Sequence, residues 1–239
     1  MTTAQEDRTT DDLKALAEQA GRDLEDASAL EILQWAVDTF GKGFCVTSSM
    51  EDAVVAHLAS RVQKGEAIVD VVFLDTGYHF PETIGTRDAV EAVMDVNVIT
   101  LTPRQTVAEQ DAEYGPKLHD RDPDLCCRLR KVQPLERGLT KYAAWATGLR
   151  RDESPTRANT PVVGWDEKRQ KVKISPIARW TQDDVDDYVA EHGVLTNPLL
   201  MDGYASVGCA PCTRRVLEGE DARAGRWAGR AKTECGLHE

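Results

Sequence analysis

Over most of its length the chain alternates between short apolar runs and stretches whose apolar residues recur at helical spacing. Leu13, Leu16, Ala17 and Ala20 fall on one face of a first helix ending near Gly21. A second helix opens at Ser28, three residues before Glu31 at capping-box spacing. Ala29, Ile32, Leu33, Ala36, Val37 and Phe40 form its apolar face, and Gly41 ends it. Next come a strand over 44–47, a helix over 51–63, a strand over 67–74, a helix over 81–94, a strand over 96–101, a helix near 106–114 and a strand over 143–149. Strands joined by helical crossovers predict an α/β fold with a mostly parallel sheet, whose ligands bind beyond the carboxyl ends of the strands. Those ends carry Ser48-Ser49-Met50-Glu51-Asp52, Asp75-Thr76-Gly77-Tyr78-His79 and Arg150-Arg151-Asp152-Glu153-Ser154, polar sets suited to a nucleotide.

Beyond Thr160 the pattern changes. Residues 161–165 and 171–174 read as a hairpin around Asp166-Glu167-Lys168, and Thr181 caps a last helix running to about Glu191. From Gly193 onward periodicity fades and seven glycines appear, so this irregular C-terminal segment needs an external constraint; metal ligation at Cys209 and Cys212 would be one. Residues 1–239 read as a single domain, with 1–27 partly disordered or a peripheral helix and 216–239 a mobile tail.

With 41% hydrophobic residues the 239-residue chain can bury an ordinary core. A net charge of -12 argues against a general nucleic-acid or membrane-surface binder, so any anionic ligand must be met by local cationic clusters. The start is polar, and the most apolar run, 67–74, contains Asp70 and is too short to span a bilayer. A cytoplasmic location is expected, with no nucleic-acid or membrane partner. In that reducing compartment six cysteines are metal ligands, redox catalysts or buried small hydrophobes rather than a disulfide framework.

Cys126-Cys127 is followed at once by Arg128, Arg130 and Lys131, and Cys209-Ala210-Pro211-Cys212 supplies a second pair. Two such pairs can turn four thiolates towards one metal centre. A thioredoxin-like dithiol normally opens a helix after a strand, whereas Cys209 follows a glycine-rich loop. Adjacent cysteines aim poorly at one small ion, which favours an iron-sulfur cluster over zinc without eliminating zinc. Cys45 sits inside an apolar run. Cys235, in Glu234-Cys235-Gly236-Leu237-His238, is left outside the four-sulfur group. Its thiol is largely protonated at neutral pH and Glu234 disfavours the anion, so it is an inert tail cysteine unless it docks beside Arg223, Arg226, Lys131 or His238. Ser48 and Ser49 read equally as an ordinary helix start or as an anion-binding turn, and they lack the glycines of a phosphate loop. Clustering of Arg128, Arg130, Lys131, Arg150, Arg151, Arg214 and Arg215 near these segments makes an anionic pocket plausible. His57, His79, His119 and His192 are scattered and carry no assigned chemistry.

Taken together, Cys126-Cys127 with Cys209-x-x-Cys212, the run from Phe73-Leu74-Asp75-Thr76-Gly77-Tyr78-His79 to Thr83, and Glu234-Cys235-Gly236-Leu237-His238 resemble the sulfonucleotide reductases. The match is to the cluster-containing adenosine 5′-phosphosulfate reductases of bacterial assimilatory sulfate reduction, over about residues 44–238. The resemblance implies an adenine nucleotide alpha-hydrolase-like fold and one 4Fe-4S cluster per subunit on Cys126, Cys127, Cys209 and Cys212. It also implies that Cys235 attacks the sulfur of the phosphosulfate, that AMP leaves, and that thioredoxin or a similar dithiol then frees sulfite from a Cys235 thiosulfonate. Lys131, Arg223 and Arg226 would bind the anion, Ser48 and Ser49 would lie on the phosphosulfate side and Thr76 and Gly77 near the nucleoside, and His238 would help close the tail. The Ser48 loop departs from the ATP-splitting relatives of this fold in lacking their paired glycines and lysine. Three alternatives remain: reduction of the 3′-phosphorylated substrate, a tRNA-thiolating enzyme of the same fold, and a non-enzymatic iron-sulfur redox sensor. A homo-oligomer is left open.

Overall fold

The computed structural model describes residues 8–63, 68–230, 232, 234, 236 and 237. Two helices begin it, α1 (Thr10–Asp23) and α2 (Ala29–Phe40), and each opens on a capping box, Thr9 with Asp12 and Ser28 with Glu31. These side chains pair first-turn amides that have no partner inside a helix. The chain continues through β1 (Phe44–Ser48), α3 (Val54–Arg61), β2 (Asp70–Leu74), α4 (Pro81–Val93), β3 (Asn97–Leu101) and α5 (Val107–Tyr114). Three short helices follow, α6 (Leu118–Arg121), α7 (Pro123–Cys127) and α8 (Gln133–Gly138), the last two joined by a π-helical turn, Arg128–Val132. After these come β4 (Ala144–Ala146), the hairpin β5 (Val163–Asp166) and β6 (Lys171–Ile174), and α9 (Gln182–His192).

The strands form one sheet in the order β3-β2-β1-β4-β6-β5, parallel throughout except for the β5–β6 hairpin. The mostly parallel α/β sheet expected from the alternation is therefore present. Alternation within β1 serves two cores. Phe44 and Val46 join the larger one with Ile32, Leu33, Val54 and Leu58, while Cys45 joins Val72, Leu135, Leu139, Tyr142 and Trp145 in a second. Strands covered on both faces read as continuous apolar runs, as these do. Helix α1 lies against the hairpin at the edge of the sheet, and it runs to Asp23, past the predicted stop. A Cβ at Gly21 would stand 2.4 Å from the Val163 carbonyl oxygen, so glycine is what allows this close approach.

Two predicted elements are shorter than their patterns. The helix expected over 51–63 starts only at Val54, because Met50 takes φ 58° and the next residues are tied elsewhere. The Asp52 carboxylate accepts the Val54 N–H at 2.9 Å and Asn197 N–H donates to Glu51 O at 2.9 Å. The strand expected over 143–149 pairs as β4 only through Ala146, and Thr147, Gly148 and Leu149 turn to line a cleft. Helices α6 to α8 were not read from the sequence: Pro123 and Pro134 punctuate them, and each is too short to show a period. The segment after α9 is irregular as expected, and isolated bridges Asp52–Thr196, His79–Cys209 and Thr213–Arg226 tie it to the strand ends and to itself. Among the described residues no helix is long and apolar enough to cross a membrane.

Candidate active site

At the carboxyl ends of β1, β2 and β4 the chain leaves a cleft of about 190 Å³. Its walls come from the three strand-end loops, from Lys131 in the π-helical turn and from the C-terminal segment, which contributes Ser206 to Gly208, Arg223, Arg226, Trp227, Glu234 and Leu237. Of the residues singled out by sequence, Ser48, Ser49, Lys131, Arg223 and Arg226 meet here. The serines do not cap α3. Ser48 Oγ instead accepts the Met50 N–H at 3.1 Å, closing the tight turn that Met50's positive φ requires.

Beside the cleft lies a second, smaller cavity of about 20 Å³ lined by Cys126, Cys127, Cys209 and Cys212. Lys131, Arg226 and Trp227 line both. Cys126 and Cys127 close α7 where the ladder widens into the π turn, a feature that often marks functional positions. Cys209 and Cys212 bracket a 3-10 turn in which Cys212 N–H donates to Cys209 O at 2.9 Å. Burial, and then the neighbouring Cys127, Cys209 and Cys212, push the Cys126 thiol up to about 12. Burial and Cys209 likewise raise Cys212, against the pull of Lys131, Arg230 and Arg226. Burial and neighbouring thiols thus disfavour the thiolate at Cys126 and Cys212, and a cation bound among the four sulfurs would offset that cost, which is the donor chemistry of a metal centre. Among the described residues no three His, Cys, Asp or Glu side chains close on a point as ligands of a single ion do.

Thr76 and Gly77 sit beneath the cysteine cavity, and neither lines the larger cleft. Thr76 Oγ1 is 3.3 Å from Cys209 Sγ, and Ala210 N–H donates to Tyr78 O at 2.7 Å. Arg130, only 4% exposed, donates to Thr76 O and to Gln110 Oε1, locking this loop to the cysteine helix. Cys45 is a core residue, its thiol raised far above the ordinary range by burial and then by Asp70. Cys235 and His238 lie outside the described residues. Their neighbours are placed: Glu234 lines the cleft, and Leu237 lines it too while packing against the second core.

The cleft also holds groups that sequence reasoning did not assign. Glu51 accepts the Val207 N–H at 2.6 Å, and burial raises both its carboxyl and that of Asp52. Arg157 lies on a 3-10 turn beyond β4 and pairs with Glu153 and with Glu234. Burial opposes ionisation of Glu234, but the hydrogen bond from Arg157 and the charges of Arg157 and Arg223 hold its carboxyl below the usual range. The only signal for Arg157 in the sequence was its position, four residues after the acid of a strand-end loop.

A family model described as "Phosphoadenosine phosphosulfate reductase domain" matches residues 43–215. The chain is 85% identical over 238 residues to the adenosine 5′-phosphosulfate reductase of Streptomyces coelicolor, covering 100% of both chains. It is 56% identical over 230 residues to the enzyme of that name from Mycolicibacterium smegmatis, covering 96% of each. Among solved structures, the phosphoadenylyl-sulfate reductase of Candida auris in its phosphate complex superposes with a TM-score of 0.72 at 28% identity, over 83% of this chain and 96% of that one. Fold, motifs and relatives agree, and the chain belongs to the phosphoadenosine phosphosulfate reductase family of sulfonucleotide reductases.

Proposed function

We propose that this protein reduces adenosine 5′-phosphosulfate to sulfite and AMP, as a cytoplasmic step of sulfate assimilation, with Cys235 as its nucleophile. The observation that carries the reading is that Glu234 and Leu237, on either side of position 235 in sequence, line the same cleft as Lys131, Arg223 and Arg226. A dianionic phosphosulfate would meet those three cations, while Ser48 and Ser49 face it from the β1 end. Thr76 and Gly77 act on the nucleoside side only through the loop they brace. The Cys235 thiolate attacks sulfur, the bond from sulfur to the phosphate oxygen breaks, and AMP leaves with that electron pair. A thioredoxin-type thiolate then attacks Cys235 Sγ and expels sulfite, and its second thiol resolves the mixed disulfide, so the dithiol supplies both electrons. His238 would help hold the tail closed during the first step.

Cys126, Cys127, Cys209 and Cys212 are the residues that would hold a 4Fe-4S cluster: all four line one cavity, and a bound metal would offset the burial that disfavours the Cys126 thiolate. When bound, such a cluster would fasten the Cys209 loop to α7 and, as a 2+ core on four thiolates, would leave a net negative charge beside Lys131. Cys126→Ser is expected to lose iron, sulfide and activity together.

The test is turnover of the two sulfonucleotides by anaerobically purified protein. Release of sulfite and AMP from adenosine 5′-phosphosulfate, with a gain of about 80 Da on Cys235 when reductant is withheld, is the expected result. Cys235→Ser should retain iron and bind nucleotide but form neither adduct nor sulfite. A higher kcat/KM for the 3′-phosphorylated nucleotide would move the substrate assignment, and an adduct on another cysteine would overturn the nucleophile.

A further inference from the structure

We propose that Asn197 is a positioning residue for the phosphosulfate side of the cleft: its side-chain amide reaches the β1 end from the C-terminal segment and holds the turn Ser48-Ser49-Met50 in the shape that faces the anion. Met50 takes φ 58°, a region that bulky side chains rarely enter, so its surroundings must hold it there. Its own side chain is fully buried in the larger core and fixes one side of the turn. Its N–H donates to Ser48 Oγ at 3.1 Å, a contact the turn supplies locally. Its carbonyl is met from far along the chain. Asn197 Nδ2 donates to Met50 O at 3.1 Å and, also at 3.1 Å, to Oγ1 of Thr83 in the first turn of α4. Asn197 Oδ1 accepts the Leu199 N–H at 3.1 Å, which fixes the orientation of the amide, because its oxygen must face that N–H and its nitrogen the Met50 carbonyl.

Asn197, Met50 and Thr83 are 0%, 0% and 1% exposed, so water cannot readily replace a lost partner. The backbone adds to the same hold. Asn197 N–H donates to Glu51 O at 2.9 Å, Ala53 N–H donates to Leu195 O at 3.0 Å, and Asp52 bridges Thr196. Ser48, Ser49, Glu51 and Asp52 line the cleft on either side of Met50, whereas Asn197 is buried behind them, so its effect on a ligand passes through the turn. Thr83 separates this role from a merely structural one. Thr83→Val removes the bond from Asn197 to α4 and leaves the bond to Met50, while Asn197→Ala removes both.

The ligand part of this inference rests on the proposed function, which puts the phosphosulfate at Ser48 and Ser49; the part concerning the turn does not. The experiment is equilibrium binding of adenosine 5′-phosphosulfate and of adenosine to full-length protein purified anaerobically, in the parent, Asn197→Ala and Thr83→Val, with amide hydrogen exchange of residues 47–53 in the same proteins. Asn197→Ala should weaken adenosine 5′-phosphosulfate by about tenfold or more and adenosine by less than about threefold, with residues 47–53 exchanging about tenfold faster. In turnover the loss should fall on KM, with kcat within about threefold of the parent. Thr83→Val should stay within about threefold of the parent throughout. Should the alanine protein not fold, Asn197→Asp keeps the acceptor for the Leu199 N–H while removing the amide donor to Met50, and the same measurements decide. Equal losses for both ligands, a Thr83→Val protein that matches Asn197→Ala, or a lowered kcat with unchanged KM would overturn the proposal. If the parent does not bind adenosine 5′-phosphosulfate, the proposed function falls and exchange alone decides: faster exchange in Asn197→Ala but not in Thr83→Val supports the hold on the turn, and unchanged exchange overturns it.

Discussion

Gly208 offers a way to disturb the proposed anion site without touching a charged residue. It precedes Cys209 and has no positive φ, so alanine meets no backbone strain there. Its added Cβ, however, would stand 2.3 Å from Arg226 Nη2, 2.6 Å from Cζ and 3.0 Å from Nε, closer than atoms approach without bonding. Something must shift, and the free end of an arginine shifts more cheaply than backbone. Arg226 now donates to Ser206 Oγ at 3.2 Å and to Val207 O at 3.3 Å, with Cζ 4.8 Å from the Trp227 ring centroid. Giving up these contacts should cost about 1–2 kcal/mol of stability. The functional cost is larger. A charge-assisted hydrogen bond to the anion is worth about 1.5–3 kcal/mol, so losing it should lower kcat/KM by about 10- to 150-fold. Gly208→Ala is therefore expected to match Arg226→Ala in kcat/KM while keeping its iron. Combining the two should add almost nothing, because the second change removes what the first displaced. Steady-state kinetics of the four-member cycle, with iron content of each variant, is the assay. A Gly208→Ala enzyme within threefold of the parent, or losses that multiply in the double variant, would refute the account.

Two further outcomes are expected. Arg130→Met strands the buried Thr76 carbonyl and Gln110 Oε1, so it should cost about 2–5 kcal/mol in denaturant unfolding and weaken iron retention; a loss below about 1 kcal/mol would show that the loop does not depend on it. His57, whose Nδ1 lies 2.9 Å from Tyr188 Oη, is held below its ordinary value of 6.5 by burial and then by His192 and Arg61, so the fold disfavours its protonated form more than the unfolded chain does. Its contribution is present above that value and is lost as pH falls through it, so the Tm of the parent should drop from pH 7 towards acid, and His57→Gln should flatten that limb. An unchanged slope in the variant would discard this assignment.

The helices and strands were legible because their causes are local. Ser28 and Glu31, or Thr181 and Asp184, announce a helix start within four residues, and the two-residue period of β1 is fixed by the pleat. The cysteine pairs were equally visible, and the motifs named the family before any geometry was known. What the sequence could not place were contacts between distant segments. Val54, not Glu51, begins α3, because Asn197 and Asp52 hold the preceding turn. Thr76 and Gly77 brace the cysteine loop through Arg130, 54 residues away from Thr76. Arg157 reaches Glu234 across 77 residues and had no motif to mark it. Caps and periods depend on neighbours within a turn or two of chain, so sequence order records them. A cleft depends on which strand ends the sheet order brings together, and only the folded chain decides that.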